Sequence, residues 1–63
     1  MLEKWYSVEL TKDKAELFKK YLHEHCIDFE PSEAHNLIHF ECLMDLKELD
    51  AANEWLLEVI ANG

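Results

Sequence analysis

Alternating apolar and polar residues predict three β-strands in this chain. The predicted strands cover residues 3–10, 27–31 and 37–43. In the first and third strands one face carries only apolar side chains, which are Tyr6, Val8, Leu10, Ile38, Phe40 and Cys42. Pro31 lacks an N–H group, so we expect the second strand to lie at a sheet edge. The predicted turn covers residues 32–36, and Asn36 can adopt a positive φ there.

Apolar residues at helical spacing predict two α-helices, one after the first strand and one at the end of the chain. The first covers residues 12–26, with Thr11 as its N-cap. Its apolar stripe consists of Ala15, Phe18, Leu22 and Cys26, widened by Leu17 and Tyr21. The second helix opens with a capping box formed by Asp45 and Glu48. Its stripe consists of Leu49, Ala52, Leu56 and Val59, widened by Trp55 and Ile60.

The element order strand–helix–strand–strand–helix predicts one α+β domain over residues 1–63. A right-handed crossover through the first helix places both helices on one face of a three-stranded antiparallel sheet with strand order 1-3-2. This order of elements resembles a ferredoxin-like domain without its last strand. The predicted core consists of Tyr6, Val8, Leu10, Phe18, Leu22, Phe29, Ile38, Phe40, Leu49, Leu56 and Val59.

The predicted fold leaves two surfaces of the sheet uncovered, the outer edge of the first strand and the face opposite the helices. That face would display Trp5, Ser7, Glu9, Asp28, Glu30, Leu37, His39, Glu41 and Leu43. Unpaired strand edges and half-apolar faces are typical docking surfaces. The predicted partner-binding residues are Trp5, Ser7, Glu9, Leu37, His39, Glu41 and Leu43. Trp5 is the most informative of them, and its alternative role is packing within the monomer on Leu37, Leu43 or the start of the chain.

The chain carries a formal net charge of −8, and its distribution is uneven. Residues 1–26 contain five acidic residues and five lysines, whereas residues 27–63 contain nine acidic residues and one lysine. No arginine is present, although arginine is the residue that most often binds phosphate and base edges. We therefore expect no direct binding of nucleic acid and no binding of anionic membranes.

The sequence contains residues that could perform chemistry, but not in patterns that favour it. The histidines and cysteines do not have the compact spacing of a zinc site. His39, with Glu9, Glu30 and Glu41, could supply acid–base groups, but so short a chain forms few pockets that exclude water. Gly63 is the single glycine, so no glycine-rich phosphate loop exists. We predict a protein that is not an enzyme and that has no cofactor or metal.

Two functions remain open. The sequence favours a small acidic protein-interaction or regulatory module that associates with itself, through the first-strand edge or through stacked open faces. Repulsion between two chains of such charge favours a monomer instead. The alternative function is an acidic decoy inhibitor that mimics nucleic acid in a basic groove of its partner. Its carboxylates would be Asp45, Glu48, Glu54 and Glu58 on the second helix, with Glu30, Glu33 and Glu41.

The expected location is the cytoplasm. The first residues lack the apolar segment of an export signal, and the two cysteines do not form a disulfide framework. No apolar run is long enough to cross a membrane.

Overall fold

The computed structural model describes residues 2–62 and contains the predicted order of elements. The strands are β1 (Lys4–Thr11), β2 (Phe29–Ala34) and β3 (Leu37–Met44), and the helices are α1 (Lys12–Glu24) and α2 (Leu46–Asn62). The three strands form one antiparallel sheet with the order β1-β3-β2. The predicted α+β fold with strand order 1-3-2 is confirmed.

Both helices pack on the same face of the sheet, around the ring of Phe18. This ring lies edge-to-face with Phe40 at a centroid distance of 5.2 Å and is 5.8 Å from the ring of Trp55. Phe18 therefore links α1 to β3 and to α2. The buried core consists of Leu10, Ala15, Phe18, Tyr21, Leu22, Ile27, Phe40, Cys42, Met44, Ala52 and Leu56. The other predicted core residues pack against this cluster, except Val59, which is half-buried outside it.

Helix α1 ends earlier than its apolar pattern predicts, because Cys26 takes a left-handed conformation with a φ of 55°. The N–H of Cys26 donates to the carbonyl of His23 at 3.2 Å, and that of Ile27 donates to Leu22 at 2.9 Å. This pair of bonds is the Schellman arrangement, which closes a helix and turns the chain. Ile27 is buried as a result. Cys26 was predicted to lie on the core face of α1, but it is exposed.

The β2–β3 hairpin is longer than predicted. β2 covers Phe29–Ala34 rather than residues 27–31, and the connection consists of His35 and Asn36 alone. These two residues have φ values of 54° and 67°, which is the requirement of a type I′ turn. The positive φ predicted for Asn36 is confirmed, but most of the predicted turn is strand.

The two helices begin differently. At α2 the N–H of Glu48 donates to the carboxylate of Asp45 at 2.8 Å, and the N–H of Asp45 donates to that of Glu48 at 3.1 Å. This confirms the capping box. Thr11 does occupy the N-cap of α1, but its hydroxyl donates to the Asp13 carboxylate at 2.6 Å instead of capping a backbone N–H. That hydrogen bond lowers the pKa of Asp13.

Candidate protein-interaction surface

The face of the sheet opposite the helices carries no other element of residues 2–62, and we call it the open face. Successive side chains of a strand point to opposite faces, so those that point into the core alternate with the residues of the open face. They are Trp5, Ser7, Glu9, Thr11, Glu30, Ser32, Ala34, Leu37, His39, Glu41 and Leu43. All seven predicted partner-binding residues lie on this face. Asp28, also predicted on this face, precedes β2 and is not one of its strand residues; its carbonyl accepts the N–H of Leu43 at 2.9 Å.

The strand register arranges the open face in rows that cross the sheet. Apolar residues occupy its two ends, since Trp5 lies opposite Leu43 at one end and Leu37 lies opposite Ala34 at the other. The two rows between them are polar. They consist of Ser7–Glu41–Glu30 and Glu9–His39–Ser32. Two apolar ends are therefore separated by an acidic centre.

The acidic centre opposes the stacking of two identical faces. Glu30 lies directly opposite Glu41 across β2 and β3, a pair of like charges that is unfavourable at such a separation. His39 lies beside this pair, with its Nε2 atom 3.8 Å from Oε1 of Glu41. A second open face would bring further carboxylates to the same place.

Trp5 is the most exposed large apolar side chain of the open face. It keeps 53% of its surface accessible although it lies opposite the half-buried Leu43. Packing within the monomer thus leaves about half of the Trp5 surface free for a partner.

The outer edge of β1 carries unpaired backbone groups. The N–H of Leu43 bonds to Asp28, so odd-numbered residues of β3 direct their N–H and C=O groups towards β2. Even-numbered residues of β3 must then bond to even-numbered residues of β1. The backbone groups of the odd-numbered residues of β1 point away from the sheet. These residues are Trp5, Ser7, Glu9 and Thr11.

The edge of β2 is protected, in contrast to that of β1. By the same alternation Phe29, Pro31 and Glu33 direct their backbones outwards, and Pro31 has no N–H to offer. Glu33 adds a charged side chain that pairs with Lys12 at 3.0 Å. In β1, neither proline nor a central lysine blocks the edge. Within the described sheet, β1 is the edge open to a further strand.

A second apolar surface lies on α2, and its residues are Leu46, Leu57 and Ile60. Their exposed fractions are 68%, 68% and 58%. Helical geometry places them on one side, which we call the α2 flank. α1 packs on the opposite side, where the ring centroids of Trp55 and Tyr21 are 4.9 Å apart. Ile60 was predicted to widen the core stripe and Leu17 that of α1, but both are exposed.

The α2 flank begins above the β1 edge. Leu46 shares a cavity of about 270 Å³ with Leu2, Lys4, Tyr6 and Asp45, all of which lie at the start of β1 or α2. The predicted apolar stripe of α2 did not include this flank, although the spacing of Leu46 and Leu57, three helical turns apart, indicates it.

The predicted acidic row of α2 is divided. The carboxylates of Asp45 and Glu48 both accept hydrogen bonds in the capping box. Glu54 and Glu58 are exposed further along the helix. Glu48 and Glu54 are separated by about 120° around the helix axis, so the four carboxylates do not line one side.

The described residues offer little to acid–base or metal chemistry. No polar or charged side chain among them is buried, and no three potential metal ligands lie together. His39 and Glu41 border a hollow of about 530 Å³ that is open to solvent. Burial raises the pKa of the Cys42 thiol to about 11, which leaves it protonated at neutral pH.

No protein-family model, curated protein or solved structure matches the chain. The likeness to a ferredoxin-like domain therefore remains one of element order. Neither helix in the described part of the chain is long and apolar enough to cross a membrane.

Proposed function

We propose that the chain is a small, non-catalytic protein-interaction module that associates with itself. The observation that carries this proposal is the difference between the two edges of the sheet. Pro31 protects the edge of β2, whereas β1 offers unpaired backbone groups at four of its eight residues. Addition of a strand to such an edge is a common mode of protein recognition, in which main-chain hydrogen bonds supply affinity.

The open face adds an anchor next to this edge. Trp5 belongs to β1, so a chain that pairs with β1 also contacts its indole ring. Covering the exposed part of a tryptophan contributes on the order of 1–2 kcal/mol. The acidic centre of the open face makes stacking of two copies the less favourable arrangement, and pairing of β1 edges the more favourable one.

None of the described charged or histidine side chains is buried, which supports a binding role over a catalytic one. Catalytic acids and bases work in sites that exclude water, and the hollow beside His39 is open. Cys26 and Cys42 are free thiols, and Cys26 is exposed, which suits a reducing compartment such as the cytoplasm. The decoy function is the weaker proposal, because the four carboxylates predicted for it at the start of α2 and along it do not line one side of the helix.

Fluorescence of Trp5 tests the proposal. In a Trp55→Phe variant the emission reports Trp5 alone, since the chain contains two tryptophans. We expect the emission to shift to shorter wavelength as the concentration rises from micromolar to millimolar, because association removes the indole from water. The shift should persist at about 0.5 M salt, where screening acts within a few ångströms.

Two outcomes of this titration would count against the proposal. Emission that does not change with concentration would exclude self-association through Trp5. A shift abolished by salt would indicate an interface made by charges, as the decoy function requires. Leu17→Ala in the same background is the matched control, because Leu17 is an exposed leucine on α1 and its loss should leave the titration unchanged.

A further inference from the structure

We propose that two copies pair through their β1 edges in one particular register, with Val8 opposite Val8 of the other copy on a two-fold axis. The proposal rests on the self-association proposed above and specifies its geometry. It joins the sheets of both copies into one continuous sheet, each contributing its three strands. The α2 flanks of the two copies then lie on either side of the seam, on the helix side of the sheet.

The backbone restricts which registers are available. Outward N–H and C=O groups occur at the odd-numbered positions of β1, so antiparallel pairing must place odd positions opposite odd positions. With Val8 on the axis, Trp5 pairs with Thr11 of the other copy, and Ser7 pairs with Glu9. All outward positions of β1 are then used. A shift by two residues in either direction leaves outward groups at one strand end without a partner within β1.

Side-chain charge distinguishes this register from its neighbours. Moving the axis towards the C-terminal end of β1 places Glu9 opposite the Glu9 of the other copy, a pair of like charges at close range. Moving it in the other direction places the indole of Trp5 opposite the carboxylate of Glu9. With Val8 on the axis, each Glu9 faces the hydroxyl of a Ser7 instead.

The chosen register also extends the apolar ends of the open face. On each copy Leu43 lies opposite Trp5, and Thr11 lies opposite Leu37. Pairing of Trp5 with the other copy's Thr11 therefore produces the row Leu43–Trp5–Thr11–Leu37 across both sheets. On the helix side the half-buried Tyr6 meets the other copy's Leu10, which covers more apolar surface.

Charge balance explains how two acidic chains can approach through this surface. β1 carries Lys4 and Glu9 and is neutral overall, and the excess negative charge lies beyond residue 26. On α2, Asp50 lies one turn after Leu46 and is the charged residue beside the apolar flank. The strand that forms the seam is thus the neutral part of the interface, and a second copy of this chain fits it better than a basic partner would.

Disulfide trapping tests the register. In a Cys26→Ser background, single cysteines are introduced as Ser7→Cys, Val8→Cys and Glu9→Cys, and Cys42 remains as the buried thiol. Val8 would be a non-hydrogen-bonded pair, whose close Cβ atoms suit a disulfide. We expect mild oxidation to link the Val8→Cys chains at least tenfold faster than the other two. Faster linkage at position 7 or 9 would contradict the register, as would equal rates at all three.

A proline in the edge provides a second, independent test. The N–H of Ser7 points outwards, so Ser7→Pro should leave the monomer folded, as Pro31 does at the other edge, but remove a bond of the seam. We expect it to weaken dimerisation at least tenfold by sedimentation, while Ser7→Ala, which keeps the N–H, changes it less than threefold. Unweakened dimerisation would overturn edge pairing and leave self-association intact. A wild-type chain that never dimerises would overturn both.

Discussion

Cys26 adopts the left-handed conformation at the position after a helix where glycine is usual. A side chain with a Cβ atom is disfavoured there because it approaches the following carbonyl oxygen. The fold accepts this cost because the turn buries Ile27 against the end of α1. Position 26 is therefore part of the turn that ends α1, and its side chain does not contribute to the core.

Replacing this residue with glycine should stabilise the protein. We expect Cys26→Gly to raise the free energy of unfolding by about 1 kcal/mol, since the conformation costs glycine nothing sterically. Urea unfolding followed by circular dichroism measures the change. Cys26→Ala is the control and should give little gain, because alanine retains the Cβ atom. A loss of stability in the glycine variant would show that the thiol itself contributes.

Cys42 should make the protein sensitive to alkaline pH. Burial raises its pKa from 9.0 to about 11, so the native thiol keeps its proton after the unfolded one has lost it. The contribution of this thiol to the free energy of unfolding is then fully present below pH 9. It is lost as the pH rises towards 11, which lowers the stability by on the order of 2 kcal/mol. Urea midpoints across this range measure the loss. Burial and the nearby Glu48 also raise the pKa of Tyr21, which adds to the loss above pH 10.

The Cys42→Ala variant separates these contributions. Its stability should fall less steeply than that of the unmodified chain between pH 9 and 11, although its absolute stability is lower because a buried atom is removed. Parallel pH profiles for the two proteins would contradict the role assigned to Cys42.

At the scale of elements, the start of α2 illustrates a strongly determined boundary. Asp45→Ala removes the carboxylate that accepts the N–H of Glu48, and we expect a loss of about 1 kcal/mol in stability. Thermal unfolding measures it. Lys47→Ala changes an exposed residue in the same turn and should have almost no effect. Equal effects of the two substitutions would indicate that the capping box contributes nothing.

The elements that the sequence predicted best are those with strong periodicity. β1, β3 and both helices have an apolar face at a period of 2 or 3.6, and tertiary packing uses that face. The second half of β2 has no such alternation, since Ser32, Glu33 and Ala34 are small or charged. Its pairing depends on the His35–Asn36 turn and on β3, which a local pattern does not reveal.

The candidate site was predictable from the sequence only where the strands have strong apolar–polar alternation. The open-face residues of β1 and β3 follow from alternation, whereas Ser32 and Ala34 required the hairpin register. The protection of one edge and not the other depends on which way backbone N–H groups point. Pro31 indicates that direction for β2, whereas for β1 it follows from the hydrogen bond between Leu43 and Asp28.

At the scale of the whole molecule, each copy carries a net charge of −8, and repulsion between the two copies should oppose association. We therefore expect dimerisation to strengthen severalfold when salt is raised from about 0.02 to 0.5 M, because screening reduces repulsion between the acidic halves. Sedimentation velocity at fixed concentration measures the change. Dissociation by salt would show instead that attractive charges hold the copies together.

Sedimentation equilibrium of the unmodified chain, from micromolar to millimolar concentration, tests self-association most directly. The average mass should rise with concentration towards twice that of one chain, and Trp5→Ala should move the rise to higher concentration. A mass that stays at that of one chain up to millimolar concentration would contradict self-association, and the β1 edge would then have to serve a different partner or none.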